Sequence, residues 1–229
     1  MKNIISFSLW GDNPKYTIGA VKNAQLIEKI YGGTNWIGRF YCSECVPTKI
    51  INKLKKQRNV EVIKIKEKGD WSGLFWRFYA LSDEEYDIVL SRDVDSRISL
   101  REKIAVESWI NSDKEFHIMR DHPLHNVPIL GGMWGCKSGI LNNIEDLIKK
   151  YGEKNYWQGD QEFLKDIIYP LVKDKSVIHD AFYEIENHSK PFPVKRNDCE
   201  FVGQVYTYND EPNFEFAKIL KNFIEKENI

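Results

Sequence analysis

Apolar residues along this chain switch repeatedly between strand-like runs and helix-like spacing. Residues 3–9 read as a first strand, followed by a turn rich in Gly, Asp, Asn and Pro at 10–14. Over residues 17–31, Ile18, Val21, Ala24, Ile27 and Ile30 fall near one helical face, and Gly32-Gly33 ends that helix. Residues 36–41 form a second strand, and Pro47 starts a helix through residue 57. Residues 60–65 alternate as a third strand. Gly69-Asp70 breaks the chain before an aromatic helix over 71–81. Ile88, Val89 and Leu90 then make a short apolar run suited to a strand buried on both faces, over 87–91.

Beyond residue 97 the rhythm is less regular. A helix is expected over 100–112, a strand over 116–119, and a strand over 129–136 with a close backbone approach at Gly131-Gly132. Helices over 140–151 and 158–172 follow, then a short strand over 176–179. Residues 184–198 read as an irregular loop, 201–206 as a last strand and 213–226 as an amphipathic helix. Four strands alternating with three helices predict right-handed crossovers and a mostly parallel, Rossmann-like central sheet flanked by helices. No linker or repeat interrupts the pattern, so 1–229 reads as one domain.

A chain of 229 residues can bury the core of one large α/β domain. Its net charge of −1 implies no bulk attraction to nucleic acid or anionic lipid. No run approaches the roughly 20 apolar residues of a spanning helix, and the N-terminus does not read as a signal peptide. Cys42, Cys45, Cys136 and Cys199 lack the second pair that a zinc site needs and read as ordinary thiols. A reducing, cytoplasmic setting is the expectation.

The candidate chemistry follows the 87–91 strand. Asp93 and Asp95 are the one Asp-x-Asp among fifteen Asp residues. In extended chain this spacing points both carboxylates the same way, and a divalent cation relieves their repulsion. Hard oxygen ligands suit Mg²⁺ or Mn²⁺, which keep positions open for substrate phosphates. The plain alternative is a polar turn in which Asp95 caps the next helix.

Open α/β sheets bind ligands beyond the carboxyl ends of their strands. Ser8, Leu9, Trp10 and Tyr16 collect there after the first strand, with the aromatic pair available to a base or serving only as rim. Arg77, one helix before Asp93, could reach a diphosphate or lie on a solvated face. Asp160, Gln161, Asp121 and His122 supply polar groups from the second half. His179 ends a strand and could complete an oxygen-rich metal site, with His188 in reserve; His117 and His125 read as structural.

Several blocks carry a family resemblance. They are Ser6-Phe7-Ser8-Leu9-Trp10-Gly11, Gly69-Asp70-Trp71, Phe75-Trp76-Arg77-Phe78-Tyr79, Ser91-Arg92-Asp93-Val94-Asp95-Ser96-Arg97 and His117-Ile118-Met119-Arg120-Asp121-His122-Pro123. Gly131-Gly132-Met133-Trp134-Gly135, Gly159-Asp160-Gln161 and Ile178-His179-Asp180 continue it. Together they resemble nucleotide-sugar-dependent glycosyltransferases of the GT-A type, including small viral and bacterial members and the N-terminal domain of a chlorella-virus capsid glycosyltransferase. The resemblance implies a GT-A domain with a nucleotide-binding half, 1–97, and an acceptor half, 98–229. It implies transfer of a sugar from a nucleoside-diphosphate donor, by default a UDP-sugar, to a glycan or other hydroxyl acceptor, with Mn²⁺ or Mg²⁺. Asp93 would touch ribose or metal, Asp95 would ligate the metal, and His179 would be the remaining ligand. Arg77 and Gly132 would face the donor. Asp160-Gln161 resembles the Asp-Gln pair of retaining members. His188-Ser189-Lys190-Pro191-Phe192 only partly echoes their His-Gly-Lys-Pro-Trp pattern, so the stereochemistry stays open.

Either Asp160 or Asp121 could position or deprotonate an acceptor hydroxyl. Two rival readings share some of these features. Haloacid-dehalogenase-type phosphatases use strand-Asp-x-Asp, but after the first strand of the domain. A non-catalytic sugar-binding protein would need no metal-dependent nucleotide affinity.

Overall fold

The computed structural model describes residues 2–32, 35–152 and 155–227. Its sheet has seven strands: β1 (Asn3–Leu9), β2 (Trp36–Ser43), β3 (Val60–Ile65), β4 (Ile88–Ser91), β5 (Phe116–Arg120), β6 (Trp134–Lys137) and β7 (Ser176–Asp180). Their order is β3-β2-β1-β4-β6-β5-β7. Strand β6 pairs antiparallel with β4 and β5, while the other neighbours pair parallel. The mostly parallel α/β sheet expected from the sequence is therefore the one found.

Helices cover both faces. They are α1 (Pro14–Leu26), α2 (Thr48–Lys55), α3 (Leu100–Ile110), α4 (Ile144–Tyr151), α5 (Gly159–Phe163), α6 (Tyr169–Val172) and α7 (Phe214–Glu227). A π-helical turn, Ile27–Tyr31, prolongs α1, and another, Leu164–Ile168, joins α5 to α6. Gly32 follows the first of these turns; its expected partner Gly33 lies outside the described residues. Strand alternation divides the core. Ile5, Phe7 and Leu90 pack with Ala20, Ala24, Ile50 and Trp109 of α1, α2 and α3. Ile4 and Val89 join Phe75, Phe78, Ile144 and Phe163 on the other face. Every residue of β1 and β4 is buried, which accounts for the Ile88-Val89-Leu90 run of β4 and leaves Ser6 and Ser8 of β1 as buried polar groups.

Three expectations change in detail. The 71–81 segment is a 3₁₀ helix, Trp71–Ser82. Its period of about three residues per turn places Trp71, Leu74 and Arg77 in one row and Phe75, Phe78 and Leu81 in another. The second row is buried in the core. The strand expected over 129–136 is confined to β6, because Gly131-Gly132 passes close under polar side chains instead of pairing. Residues 201–206 do not add a strand. Val205 bridges Ser96, and the Tyr206 N–H donates to the Asp95 carbonyl at 2.8 Å, so this segment crosses the loop after β4.

Candidate active site

The loop after β4 is held from three sides before any functional group is considered. Behind it, Arg92 is buried and donates from Nε to Glu102 at 2.8 Å and from Nη1 to the Ser91 and Trp134 carbonyls. From α1, the Asn23 amide donates to the carbonyls of Val94 (3.3 Å) and Ser96 (2.9 Å) and accepts from the Ile98 N–H. Gly19 lets α1 come this close, since a Cβ there would overlap the Val94 carbonyl. Within the loop, Ser96 Oγ donates to the Asp93 carbonyl at 2.9 Å. Asn23 is a polar residue on the buried side of a helix beside Ala20 and Ala24, and that position was the signal available to sequence reasoning.

In front of the loop lies a cleft of about 500 Å³. Ser8, Leu9, Trp10, Tyr16, Arg77, Asp93, Asp95, Asp160 and Gln161 all line it. The cleft therefore brings together residues from the ends of β1 and β4, the 3₁₀ helix and α5. Trp10 stands edge-on to Trp76, ring centroids 6.0 Å apart. Gly73 leaves room for it: a Cβ there would lie 2.9 Å from the indole.

Arg77 is the junction of the cleft floor. Its Nη1 donates to Asp93 and its Nη2 to Asp160 at 2.6 Å, while its backbone N–H donates to Ser8 Oγ at 2.9 Å. The guanidinium was expected to reach a diphosphate; its terminal nitrogens instead hold two carboxylates. Asp160 is buried, and burial pushes its carboxyl upward against the pull of Arg77. It is not the cap of α5, a position held by Gln158 at φ 71°. Gly131 and Gly132 pass beneath this group. A Cβ on Gly131 would sit 2.6 Å from Asp160 Oδ2, and one on Gly132 would overlap the Asp93 carboxylate. Gly132 is thus a spacer below Asp93 and not a cleft-lining residue.

Asp95 is also enclosed. Burial and the neighbouring Asp93 raise its carboxyl, and Lys15 Nζ opposes them from 2.6 Å. Sequence reasoning passed over Lys15. Its place in the first turn of α1, fixed by the Asn13 cap and Pro14, brings it here.

Two expected residues lie elsewhere. Asp121 is fully buried, taking bonds from Arg101 Nε and Nη2 (each 2.8 Å), Arg196 Nη2 (2.7 Å) and the Val202 N–H (2.8 Å). These donors occupy both carboxylate oxygens, so Asp121 anchors the 194–202 segment. His179 is buried on β7, with Nδ1 2.8 Å from His117 Nε2 and Phe192 beside its ring. Among the described residues no group of three His, Cys, Asp or Glu side chains is arranged to hold a metal, so His179 does not join Asp93 and Asp95. The reserve candidate His188 is exposed, with Nε2 3.1 Å from the Lys173 carbonyl.

No family model and no curated protein match this sequence. Solved structures do resemble it in fold. A glycosyltransferase involved in glycosylation of the major capsid of PBCV-1 superposes with a TM-score of 0.53 at 14% identity, covering 79% of this chain and 82% of that one. The fold is that of GT-A glycosyltransferases. A mannosyltransferase from Pyrobaculum calidifontis, solved with GDP-Man and Mn²⁺, superposes with a TM-score of 0.52 at 11% identity; the match covers 78% of this chain and 55% of that one. In a GT-A frame, the Asp-x-Asp after β4 lies at the carboxyl edge of the parallel strands, where open α/β sheets place their ligands. No helix among the described residues is long and apolar enough to cross a membrane.

Proposed function

We propose that this protein is a glycosyltransferase that moves a sugar from a nucleoside-diphosphate sugar to a hydroxyl acceptor. The observation that carries the reading is the placement of Asp93 and Asp95 at the floor of one cleft that Trp10, Tyr16 and Asp160 also line, on a GT-A fold. By default the donor is a UDP-sugar and the acceptor a glycan. Residues 1–97 supply the donor side and 98–229 most of the acceptor side.

The residues fit a divalent cation. Asp93 and Asp95 are two adjacent carboxylates, one of them raised by burial and by the other, which is the charge conflict that Mn²⁺ or Mg²⁺ relieves. Such ions commonly take one or two carboxylates and complete their shell with phosphate oxygens and water, so a third protein ligand is not required. Asp93 and Asp95 would hold the ion, which supplies charge neutralisation to a departing diphosphate.

The side chains divide the remaining work. Trp10 and Tyr16 offer aromatic faces to a base. Arg77 fixes Asp93 and Asp160 relative to one another and so sets the distance between donor and acceptor ends of the cleft. Asp160, with Gln161 beside it, orients the acceptor hydroxyl or takes its proton; burial keeps its carboxyl high enough to make it a better base than an exposed aspartate. A retaining course would need a nucleophile, and Asp160 is then the candidate. Calorimetric titration with UDP tests the reading. Binding with Mn²⁺ that is lost in EDTA is expected. Equal binding in EDTA would remove the metal from the proposal, and no binding of any nucleoside diphosphate would overturn glycosyl transfer.

A further inference from the structure

Two indoles at the mouth of the cleft have no part in the assignments above. Trp71 is 44% exposed and Trp157 is 65% exposed, yet both line the cleft that holds Asp160. Large exposed aromatic area at the rim of a cleft marks a ligand surface more often than scattered surface residues do.

Both indoles belong to elements that lead down to the buried Arg77–Asp160 pair. Trp71 heads the row Trp71, Leu74, Arg77, all three of which line the cleft. Trp157 precedes Asp160 by three residues. A single carboxylate ties their loops together. Asp70 Oδ1 accepts from the Ser72 N–H at 2.9 Å, and Asp70 Oδ2 accepts from Asn155 Nδ2 at 2.7 Å. Gln158 is left-handed, φ 71°, a conformation that residues with side chains seldom adopt. Asn155 thus ties the turn that presents Trp157 to the head of the 3₁₀ helix.

The chemistry around the indoles is mixed in a specific way. Gln158, Glu162 and Lys165 line the same cleft. A flat apolar face bordered by hydrogen-bonding groups suits a pyranose ring, whose C–H face is apolar and whose edge carries hydroxyls. Trp10, just after β1, and Tyr16, in the first turn of α1, already provide aromatic faces in the cleft that Asp93 and Asp95 line. Trp71 and Trp157 are the more exposed, as an incoming acceptor requires, whereas the transferred sugar must reach the buried Asp160.

We infer that Trp71 and Trp157 form a stacking wall for a pyranose ring of the acceptor, so that the acceptor is a carbohydrate. This rests on the glycosyltransferase reading. The test uses methyl gluco-, galacto- and mannopyranosides as probes, with UDP and Mn²⁺ present. Ligand-observed NMR should show ring-proton contact for at least one probe. Its affinity should fall on the order of tenfold in Trp157→Ala and in Trp71→Ala, with recovery in Trp157→Phe. UDP affinity, measured on the same samples, should stay at the value of the unsubstituted protein. Absence of probe binding, or probe affinity in the alanine variants equal to that of the unsubstituted protein, overturns the wall. A parallel loss of UDP affinity also overturns it, because the indoles then serve the nucleotide. Failure of every nucleoside diphosphate to bind the unsubstituted protein is a separate result and overturns the glycosyltransferase reading itself.

Discussion

Arg77 Nη2 lies 2.6 Å from Asp160 Oδ2 across 83 residues of chain, with both side chains withdrawn from water. The other terminal nitrogen of Arg77 holds Asp93. One guanidinium therefore couples the Asp-x-Asp loop to the start of α5.

Replacing Arg77 with Ala leaves Asp160 buried without its partner. Breaking a buried pair from one side costs about 3–5 kcal/mol. The expected outcome is a large fall in melting temperature, together with weaker donor binding as Asp93 loses its orientation. Differential scanning calorimetry and UDP titration of one sample check both. An unchanged melting temperature would show that the pair is not structural in solution.

Asp160→Asn separates chemistry from scaffold. It keeps the shape of the side chain and one acceptor for Arg77. Metal-dependent UDP affinity should persist, while turnover falls on the order of 10²-fold or more, the scale for a positioned acid-base group. Near-normal turnover, followed by product chromatography, would remove Asp160 from the mechanism.

Gly132→Ala tests the spacer below Asp93. The added methyl overlaps the Asp93 carboxylate unless that side chain moves. Nucleotide affinity in the presence of Mn²⁺ should drop, while far-UV circular dichroism stays native. Unaltered affinity would mean that Asp93 can shift without consequence.

Asp121→Ala has the opposite signature. Arg101 and Arg196 both lose their shared carboxylate, so stability should fall by about 3–5 kcal/mol in denaturant unfolding. UDP affinity in the folded fraction should be unaffected. Selective loss of turnover at unchanged stability would return Asp121 to the catalytic set.

Stability should decline as pH drops below about 6.5, the ordinary histidine value. His179 is depressed to about 4 by burial and by the nearby cations Lys190 and Arg101. Burial and His179 also hold His117 well below the ordinary histidine value. Between these values the unfolded chain binds protons that the folded chain refuses, so folding stability is full above 6.5 and is lost on the way down to about 4. Melting curves across this window should flatten in His179→Gln. An equally steep dependence in that variant would assign the effect to carboxylates.

Local pattern was enough for the parallel strands β1 to β4. The Ile88-Val89-Leu90 run of β4 is buried on both faces, so its burial shows directly in composition. The Asp93/Asp95 pair was legible for the same local reason, since a strand end followed by carboxylates two apart is set by neighbours in sequence. What packs against that loop is non-local. Lys15 and Asn23 reach it through the packing of α1, and Asp160 reaches Arg77 through the packing of α5 on the 3₁₀ helix. Helix type was also a tertiary matter: a three-residue period, not the 3.6 of an α-helix, aligns Trp71 with Arg77 along the cleft. The polar residues show the limit most clearly. Asp121, His179 and Asp160 are alike in being polar, buried and near a turn, yet only Asp160 lines the cleft. A carboxylate or imidazole becomes an anchor or a reactive group according to which partners fold against it, and those partners lie up to 83 residues away.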